Sequence, residues 1–400
     1  MSEPRPRVIF VNRVYWPSSA ATAQLLTDLA EGLALNGWEV HVIAAGVEPG
    51  SRNGVTLHRA GGGDQHGGLM SRTLNYVGFI RHARRLIATV VRPGDIVVPM
   101  TDPPMLGAAV AALALDRGAR LVHWIQDIYP EIVTAHVGAL AGLTLGPLRL
   151  KRDAAWRSAS SCVTLGESMA ATVIAHGVPA GQTEIAPNWA PRELQRTPDA
   201  LAIAARRTAW GMAGKFIVAY SGNLGRVHEF AAVLEAAGQL QSRTNIAFVF
   251  IGTGARFAEV RSVAVSRGLA NVRFLPPESR ENLAAALAAA DAQLVTLKPA
   301  FASLVYPSKL AGVLAAGRPV LFVGPPNGDI ARLLEREECG LTVAPADGIR
   351  LAEIIAHWES DPALTAGLGR NARAAYESHF TFDSALRHWL ALLAQAKTGA

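Results

Sequence analysis

The sequence KFIVAYSGNLGRVHEF, residues 215–230, decides the fold class of this chain. Residues 216–221 form an apolar run, a turn with two glycines follows, and apolar residues return at helical spacing from about Glu229. The order predicts a buried strand, a tight loop and a helix. Because doubly wound parallel sheets are built from such units, the segment predicts an α/β domain.

The same alternation extends in both directions along the chain. Before residue 190 it predicts strands at 7–12, 39–44, 95–100, 120–125 and 161–165, with helices at 20–36, 105–117 and 167–176. Later strands are predicted at 216–221, 246–251, 272–275, 292–297 and 320–323, and helices at 255–267, 308–316 and 383–397. The polar, proline-punctuated stretch 183–205 predicts a linker, so we expect two doubly wound parallel sheets.

Composition excludes several classes of protein. The chain has 400 residues and is 50% hydrophobic, which suits two folded domains and excludes intrinsic disorder. We find no apolar run of about 20 residues and no apolar core of a signal peptide, so we expect a cytoplasmic protein. Cys162 and Cys339 are expected to be reduced core residues.

The net charge of +6 is spread along the chain, and no basic stripe with interleaved aromatic residues predicts a nucleic-acid partner. A local excess of arginine occurs in the stretch 72–92, which contains no acidic residue and overlaps a predicted helix at 71–91; the arginines are Arg72, Arg81, Arg84, Arg85 and Arg92. This helix either covers a sheet with its charged face in solvent, or contacts an anionic membrane surface.

Two segments of the second half could bind phosphate. In the first, Gly222 and Gly225 allow backbone amides to approach an anion, the helix N-terminus adds positive charge, and Arg226 supplies a cation. The alternative is an ordinary turn. In the second, VYPSKLAGVLAAGRPV at 305–320, Ser308 is a predicted N-cap, and Lys309 opposes the helix dipole unless an anion binds there or its side chain points into solvent.

A third glycine pair, Gly252 and Gly254, follows the strand of FVFIGTGARF. The fingerprint for NAD is incomplete, so the pair indicates either close approach to a nucleotide or a tight turn. No Asp-X-Asp occurs, and His228-Glu229 lacks the second histidine of a zinc motif because position 232 is alanine. We therefore predict no metal site.

In the first half, HWIQDIYPE at 123–131 carries Gln126, Asp127 and Glu131 after a predicted strand. These carboxylates could hold hydroxyl groups or move a proton, or Asp127 could cap a turn. The loop YWPSSAAT at 15–22, with Ser19 and Thr22, either approaches a substrate or only starts a helix.

These segments, with APNWAP (186–191) and VRFLPP (272–277), resemble the family 4 glycosyltransferases over essentially the whole chain and in the same order. Within that family the sequence is similar to bacterial enzymes that build O-antigen, colanic acid and other exopolysaccharides.

The resemblance implies the GT-B fold, two Rossmann-like domains facing across a cleft. Residues 1–190 would bind the acceptor, 191–382 would bind the donor, and the helix in 383–400 would return to the first domain. The implied activity is retaining, metal-independent hexosyl transfer from a nucleotide-diphosphate sugar, with UDP favoured over GDP and no further cofactor. We expect a polyprenyl-diphosphate-linked saccharide as acceptor, and peripheral attachment to the cytoplasmic face of the membrane.

Site residues follow from the same resemblance. Asp127, Arg226 and Lys309 would be catalytic, and Ser19, Thr22, Asp127 and Glu131 would bind the acceptor. The donor would contact Gly222, Asn223, Gly225, Arg226, Gly252, Gly254, Pro277, Ser308 and Lys309.

The sequence also departs from the family pattern. Two glutamates usual around the 308–316 helix are replaced by Leu304 and Gly312, and the first-loop glycine pair is Ala20-Ala21. These departures leave two alternatives open: a catalytically silent nucleotide-sugar-binding subunit, and a nucleotide-sugar epimerase of the same fold.

Overall fold

A computed structural model describes residues 5–61, 69–138, 142 and 144–398, without the side chains of residues 69 and 70. The chain forms two compact units. Unit 1 runs to Asn188 and includes residues 303–306 and the stretch from Asp383, whereas unit 2 comprises Trp189–Ala302 and Pro307–Phe382.

Unit 1 is built on a single eight-stranded sheet. Its strands are β1 (Arg7–Val11), β2 (Glu39–Ala45), β3 (Gly50–Arg52), β4 (Val55–Ala60), β5 (Ile96–Pro99), β6 (Arg120–Trp124), β7 (Ser161–Thr164) and β8 (Thr183–Ile185). The sheet order is β3-β4-β2-β1-β5-β6-β7-β8. The predicted parallel strands are confirmed to within two residues. Strand β4 and the short strand β3, which pairs antiparallel with it, were not predicted.

Helices connect these strands. They are α1 (Ala21–Leu35), α2 (Leu69–Val90), α3 (Leu106–Asp116), α4 (Glu131–Val137), α5 (Gly146–Arg157) and α6 (Glu167–Ala175). Gly37 ends the first of them with a φ of 86°, as its position in the sequence predicts. Residues 8–11 of β1 are all buried, which shows that both faces of the sheet are covered.

Unit 2 repeats this architecture with six parallel strands. They are β9 (Phe216–Ser221), β10 (Ile246–Ile251), β11 (Val272–Leu275), β12 (Ala292–Thr296), β13 (Val320–Val323) and β14 (Gly340–Val343), in the order β11-β10-β9-β12-β13-β14. The helices are α7 (Ala200–Ala209), α8 (Ala231–Gln239), α9 (Phe257–Ser266), α10 (Arg280–Ala289), α11 (Lys309–Ala315), α12 (Asp329–Arg336), α13 (Gly348–Ser360) and α14 (Pro362–His379).

The strand order identifies a topological switch point in each sheet. In unit 1 the chain builds outward from β1 to β2 and β4, then returns to place β5 on the other side of β1. In unit 2 it builds from β9 to β10 and β11, then places β12 beside β9. Ligands of open α/β sheets bind at the carboxyl ends of the strands at such points.

The predicted linker at 183–205 requires correction. Residues 183–185 form β8, which pairs with β7 at the edge of the unit 1 sheet, and Ala200–Ala209 is helix α7. Asp199 caps this helix by accepting a hydrogen bond from the backbone nitrogen of Ala202. The prolines of this stretch therefore separate short elements.

The last helix, α15 (Phe382–Thr398), belongs to unit 1 from Asp383 onward. Its Trp389 packs against Trp124 of β6, with the ring centroids 4.9 Å apart. Cys162 and Cys339 are buried free thiols, as predicted. Within the described ranges, no helix combines the length and the apolar character needed to cross a bilayer.

Candidate active site

The loop after β9 lies at the switch point of unit 2. The chain turns at Gly222, whose φ of 131° is rarely adopted by residues with a side chain. The Gly222 nitrogen donates a hydrogen bond to the Ile251 carbonyl (2.9 Å), and the Leu224 nitrogen donates to the Thr253 carbonyl (2.7 Å). The loops that follow β9 and β10 are thus held together by their backbones.

Gly252 and Gly254 make this loop packing sterically feasible. A Cβ atom on Gly252 would lie 2.0 Å from the Gly222 carbonyl oxygen, and one on Gly254 would lie 2.4 Å from Oδ1 of Asn223. Both glycines also have positive φ, at 144° and 140°. The packing of the two loops is therefore a sufficient reason for both glycines, independent of any nucleotide.

The expected contribution of a helix N-terminus to anion binding is corrected by the structure. Helix α8 begins at Ala231, five residues after Arg226. A carboxylate oxygen of Glu229 accepts hydrogen bonds from the backbone nitrogens of Phe230 (2.8 Å) and Ala231 (2.9 Å). The chain's own acid therefore occupies these amides, and an anion near Gly222 must be bound by side-chain cations and loop amides.

Lys309, the first residue of α11, directs its amine toward this loop. Its Nζ lies 3.3 Å from the ring centroid of Tyr220, and a Cβ on Gly222 would lie 3.4 Å from the same atom. The Nζ is buried and has no hydrogen-bond partner in the part of the chain that the structure describes. Burial lowers the pKa of Lys309 well below its usual value. The sequence left open whether the Lys309 side chain points into solvent. The structure shows that its amine does not.

The remaining predicted donor residues differ in exposure. Arg226 and Asn223 are exposed beside Gly222 and Gly225, which are half-buried. Among the described residues the guanidinium of Arg226 has no hydrogen bond or ion pair. Ser308 is exposed and precedes α11 without a side-chain capping bond, and Pro277 is exposed in the loop after β11.

His228 is a buried residue of this site that sequence reasoning assigned no role. Its Nδ1 lies 2.6 Å from the Thr296 carbonyl oxygen at the end of β12, so it joins the two strands of the switch point. Desolvation first, and then the charge of Lys309, lower the pKa of His228 to about 3. The ring is neutral at physiological pH. The signal in the sequence was its position at the end of the glycine loop.

In unit 1, Asp127 is the carboxylate that stands out. The backbone of its loop is held by an isolated antiparallel bridge to Val305 and by a 2.9 Å bond from the Ile128 nitrogen to the Leu304 carbonyl. Desolvation, with a smaller effect from Asp102, raises the pKa of Asp127 to about 6. The side chain caps no turn and pairs with no described cation, which favours a functional role.

A narrow cavity adjoins the Asp127 carboxyl, lined in part by Thr101, His123, Tyr129 and Arg152. Another acid, Asp102, acts electrostatically on Asp127 and is itself paired with an arginine. Asp102 accepts two 2.9 Å hydrogen bonds from Arg13, which joins the loops after β5 and β1 at the unit 1 switch point. Sequence reasoning missed this pair, although both residues follow predicted strands.

The structure places Glu131 in an ion-pair network. It accepts a hydrogen bond from Arg149 (2.9 Å) and pairs with Arg152, whose guanidinium also binds Asp153 (2.7 Å) and stacks on Trp156. These contacts connect α4 to α5. They explain the presence of a carboxylate at position 131 without any role in acceptor binding.

The other polar residues of the first domain occupy different positions. Gln126 is also engaged internally, because its side-chain amide exchanges two hydrogen bonds with Asn188. Ser19 is exposed in the loop after β1, and Thr22 is half-buried in the first turn of α1. The structure does not bring either of them into contact with Asp127. In the described part of the chain, no three His, Cys, Asp or Glu side chains are grouped so as to hold a metal ion.

Comparison with known proteins identifies both domains. Residues 20–189 match the model of the glycosyl transferase 4-like domain, and residues 206–375 match that of glycosyl transferases group 1. The chain belongs to the family 4 glycosyltransferases, as its sequence motifs predict.

Two curated relatives agree with this assignment. The chain is 30% identical over 268 residues to WbjE of Pseudomonas aeruginosa, named a probable glycosyltransferase, with 66% of each chain covered. It is 33% identical over 252 residues to WcaI of Escherichia coli K12, whose name refers to colanic acid biosynthesis, with 60% of each covered. The match thus spans less than two thirds of these relatives.

Solved structures identify the fold. The crystal structure of HepE from Anabaena, in complex with UDP and glucose, matches with a TM-score of 0.74 at 17% identity and covers 98% of this chain and 100% of its own. The fold is GT-B, with two parallel-sheet α/β domains, as predicted.

Proposed function

We propose that this protein is a retaining glycosyltransferase of cell-envelope polysaccharide biosynthesis. It would transfer a hexosyl group from a nucleotide-diphosphate sugar, UDP in preference to GDP, to a hydroxyl of a polyprenyl-diphosphate-linked saccharide. The observation that carries this proposal is the buried amine of Lys309 beside Gly222, which pairs with no described residue, together with the exposed Arg226 further along the same loop. A basic amine and a guanidinium at a switch point, neither of them paired with a described residue, suit a diphosphate.

In the proposed reaction the acceptor oxygen bonds to the anomeric carbon on the face from which the diphosphate departs, so the configuration is retained. The bond between the anomeric carbon and the phosphate oxygen breaks, and the diphosphate takes both electrons and the acceptor proton. Lys309, Arg226 and loop amides stabilise the charge that develops on the leaving group without a metal ion. Asp127 orients the acceptor hydroxyl.

The proposal is tested by measuring nucleoside diphosphate release from a panel of UDP- and GDP-sugars, with a synthetic lipid-diphosphate saccharide as acceptor. We expect release that needs the acceptor and persists in EDTA, and a product whose anomeric proton coupling matches the donor. Binding without release would instead identify the silent subunit. Conversion of the nucleotide sugar alone would identify an epimerase.

Membrane contact is a separate part of the proposal. Helix α2 buries Phe79, Ala83 and Ile87 against unit 1, so it does cover the sheet. Its opposite face exposes two apolar side chains, Leu74 (67%) and Val77 (40%), among Arg81, Arg84 and Arg85. That combination suits an anionic lipid surface at the cytoplasmic face of the membrane.

Sedimentation with vesicles tests this contact. We expect the protein to sediment with vesicles that contain phosphatidylglycerol and not with pure phosphatidylcholine. Replacing both Arg81 and Arg85 by serine should abolish the difference. Equal sedimentation of the variant and the wild type would contradict the assignment of this helix.

A further inference from the structure

The amine of Lys309 lies in surroundings that oppose its positive charge. Its Nζ is buried away from solvent and donates no hydrogen bond to any described residue. The single favourable neighbour is the face of the Tyr220 ring at 3.3 Å. Transferring an unpaired ammonium out of water costs more than a ring face returns, so burial shifts the Lys309 equilibrium toward the neutral amine in the free protein.

The other charged groups around this loop supply no anionic partner. Arg256 and Lys298 are cations whose charges help to lower the pKa of His228. The nearest acids are engaged elsewhere, because Glu259 pairs with Arg256 (2.7 Å) and Glu229 caps α8. The phenol of Tyr220 stays protonated, since burial raises its pKa. No described carboxylate pairs with the Lys309 amine.

We infer that a nucleoside diphosphate binds at this loop together with one proton, which is taken up by Lys309. The inference rests on the proposed function and deepens it by coupling donor affinity to pH. No described residue offers an anionic partner to the Lys309 amine. A diphosphate oxygen supplies one, so the complex stabilises the ammonium form of Lys309.

The sign of the pH dependence follows from linkage. Burial lowers the pKa of Lys309 in the free protein, and the bound diphosphate raises it again. Between these two values the complex holds one proton more than its separated components. Affinity therefore falls as pH rises, by up to tenfold in Kd for each pH unit. A lysine already charged in the free protein would give no such slope.

Isothermal titration calorimetry with UDP, and with GDP in parallel, measures the proton directly. The titrations are made at pH 8.0 in Tris, HEPES and tricine, which differ in ionisation enthalpy. At this pH the terminal phosphate is already ionised, since its pKa is about 6. The slope of observed enthalpy against ionisation enthalpy should be positive, which corresponds to uptake of up to one proton.

Lys309→Arg is the matched variant. Its guanidinium is always charged, so we expect UDP to bind with a slope near zero. His228→Gln removes the other nearby group that could take up a proton, and should keep the wild-type slope. If Lys309→Arg does not fold, the wild-type Kd between pH 7.5 and 9 provides the second measurement, with an expected rise of up to tenfold per pH unit.

Each outcome is decisive. UDP or GDP binding by the wild type with no proton uptake and a flat Kd would overturn the inference while leaving the proposed function intact. A full slope in Lys309→Arg would show that another group takes up the proton. If neither nucleotide binds, the proposed function fails, and the inference fails with it.

Discussion

Asp127 in unit 1 is an acid and Lys309 in unit 2 is a base, but the two side chains lie in similar environments. Each lies beyond the carboxyl ends of a parallel sheet, and neither has an ion-pair partner among the described residues. Burial raises the pKa of the acid and lowers that of the base, so the same desolvation disfavours the charged form of both. By contrast, Glu131 and Asp102 are partly buried acids that each form an ion pair with an arginine. An unpaired buried ion lowers stability, which marks these two positions as functional candidates.

The largest expected effect is that of Lys309→Met. The variant keeps the length of the side chain and removes the amine that would face the leaving diphosphate. We expect kcat/KM to fall about a hundredfold, equivalent to about 2.7 kcal/mol of transition-state stabilisation. Steady-state kinetics measures this, and a Tm equal to or above that of the wild type would show that folding is intact.

Lys215→Met is the control for this variant. Lys215 lies at the opposite end of β9 and donates a 2.7 Å hydrogen bond to the Thr244 carbonyl. Its removal should leave kcat/KM within twofold of the wild type. If Lys309→Met also stays within twofold of the wild type, Lys309 is not a functional residue and the comparison with Asp127 fails.

Asp127→Asn tests the acid. Its pKa of about 6 lies above the usual 3.8, so the folded state holds the proton more tightly than the unfolded chain does. The carboxyl therefore costs stability above pH 6, by about 1 to 3 kcal/mol, and no longer does so below about pH 4. We expect the variant to melt higher than the wild type at pH 7.5, with the gain vanishing in acid, and to turn over about tenfold more slowly.

Melting curves at several pH values check the stability effect. Asp116→Asn, an exposed acid at the end of α3, provides the control and should show no comparable gain. A higher Tm for Asp127→Asn at pH 4 as well as at pH 7.5 would contradict the assigned pKa.

Arg226→Ala is expected to have a smaller effect than Lys309→Met, because this guanidinium is exposed and its charge is screened. We predict about a tenfold loss in kcat/KM, near 1.4 kcal/mol, with an unchanged Tm. The exposed Arg267 at the end of α9 is the matched control, and its alanine variant should be fully active. Equal activity of both variants would remove Arg226 from the site.

Glu229→Gln should produce the smallest change. Glutamine keeps one acceptor for the amides of Phe230 and Ala231 but lacks the charge that favours a helix N-terminus. We expect a loss of about 0.5 to 1 kcal/mol in the free energy of unfolding, with unchanged affinity for UDP. Glu281→Gln in the first turn of α10 controls for surface charge. Weaker UDP binding by Glu229→Gln would show that this residue acts on the site.

Much of the fold could be predicted from the sequence. The predicted strands at 216–221, 246–251, 272–275 and 320–323 match the observed ones residue for residue. The run at 246–251 shows why, because a strand covered on both faces must be continuously apolar. Short elements gave no such signal. Strand β3 has three residues, two of them exposed, and β8 lies in a polar stretch at an edge of the sheet.

The candidate site was only partly predictable. The sequence showed which residues follow the strands, including Gly222, Arg226, Lys309 and Asp127. It did not show which of the ionisable side chains lack an ion-pair partner, because pairing depends on side chains distant in sequence. Glu131 illustrates this: its partners Arg149 and Arg152 come from the next helix, and local reasoning therefore assigned the carboxylate to the acceptor.

The sequence by itself determined the class of the long elements, the doubly wound architecture and the family, since these depend on local periodicity and on motif order. Only the tertiary structure decided the two switch points, the capping of α8 by Glu229, and the isolation of the Lys309 amine against Tyr220. Strand order and desolvation arise from contacts between distant segments, and no local pattern of residues records them.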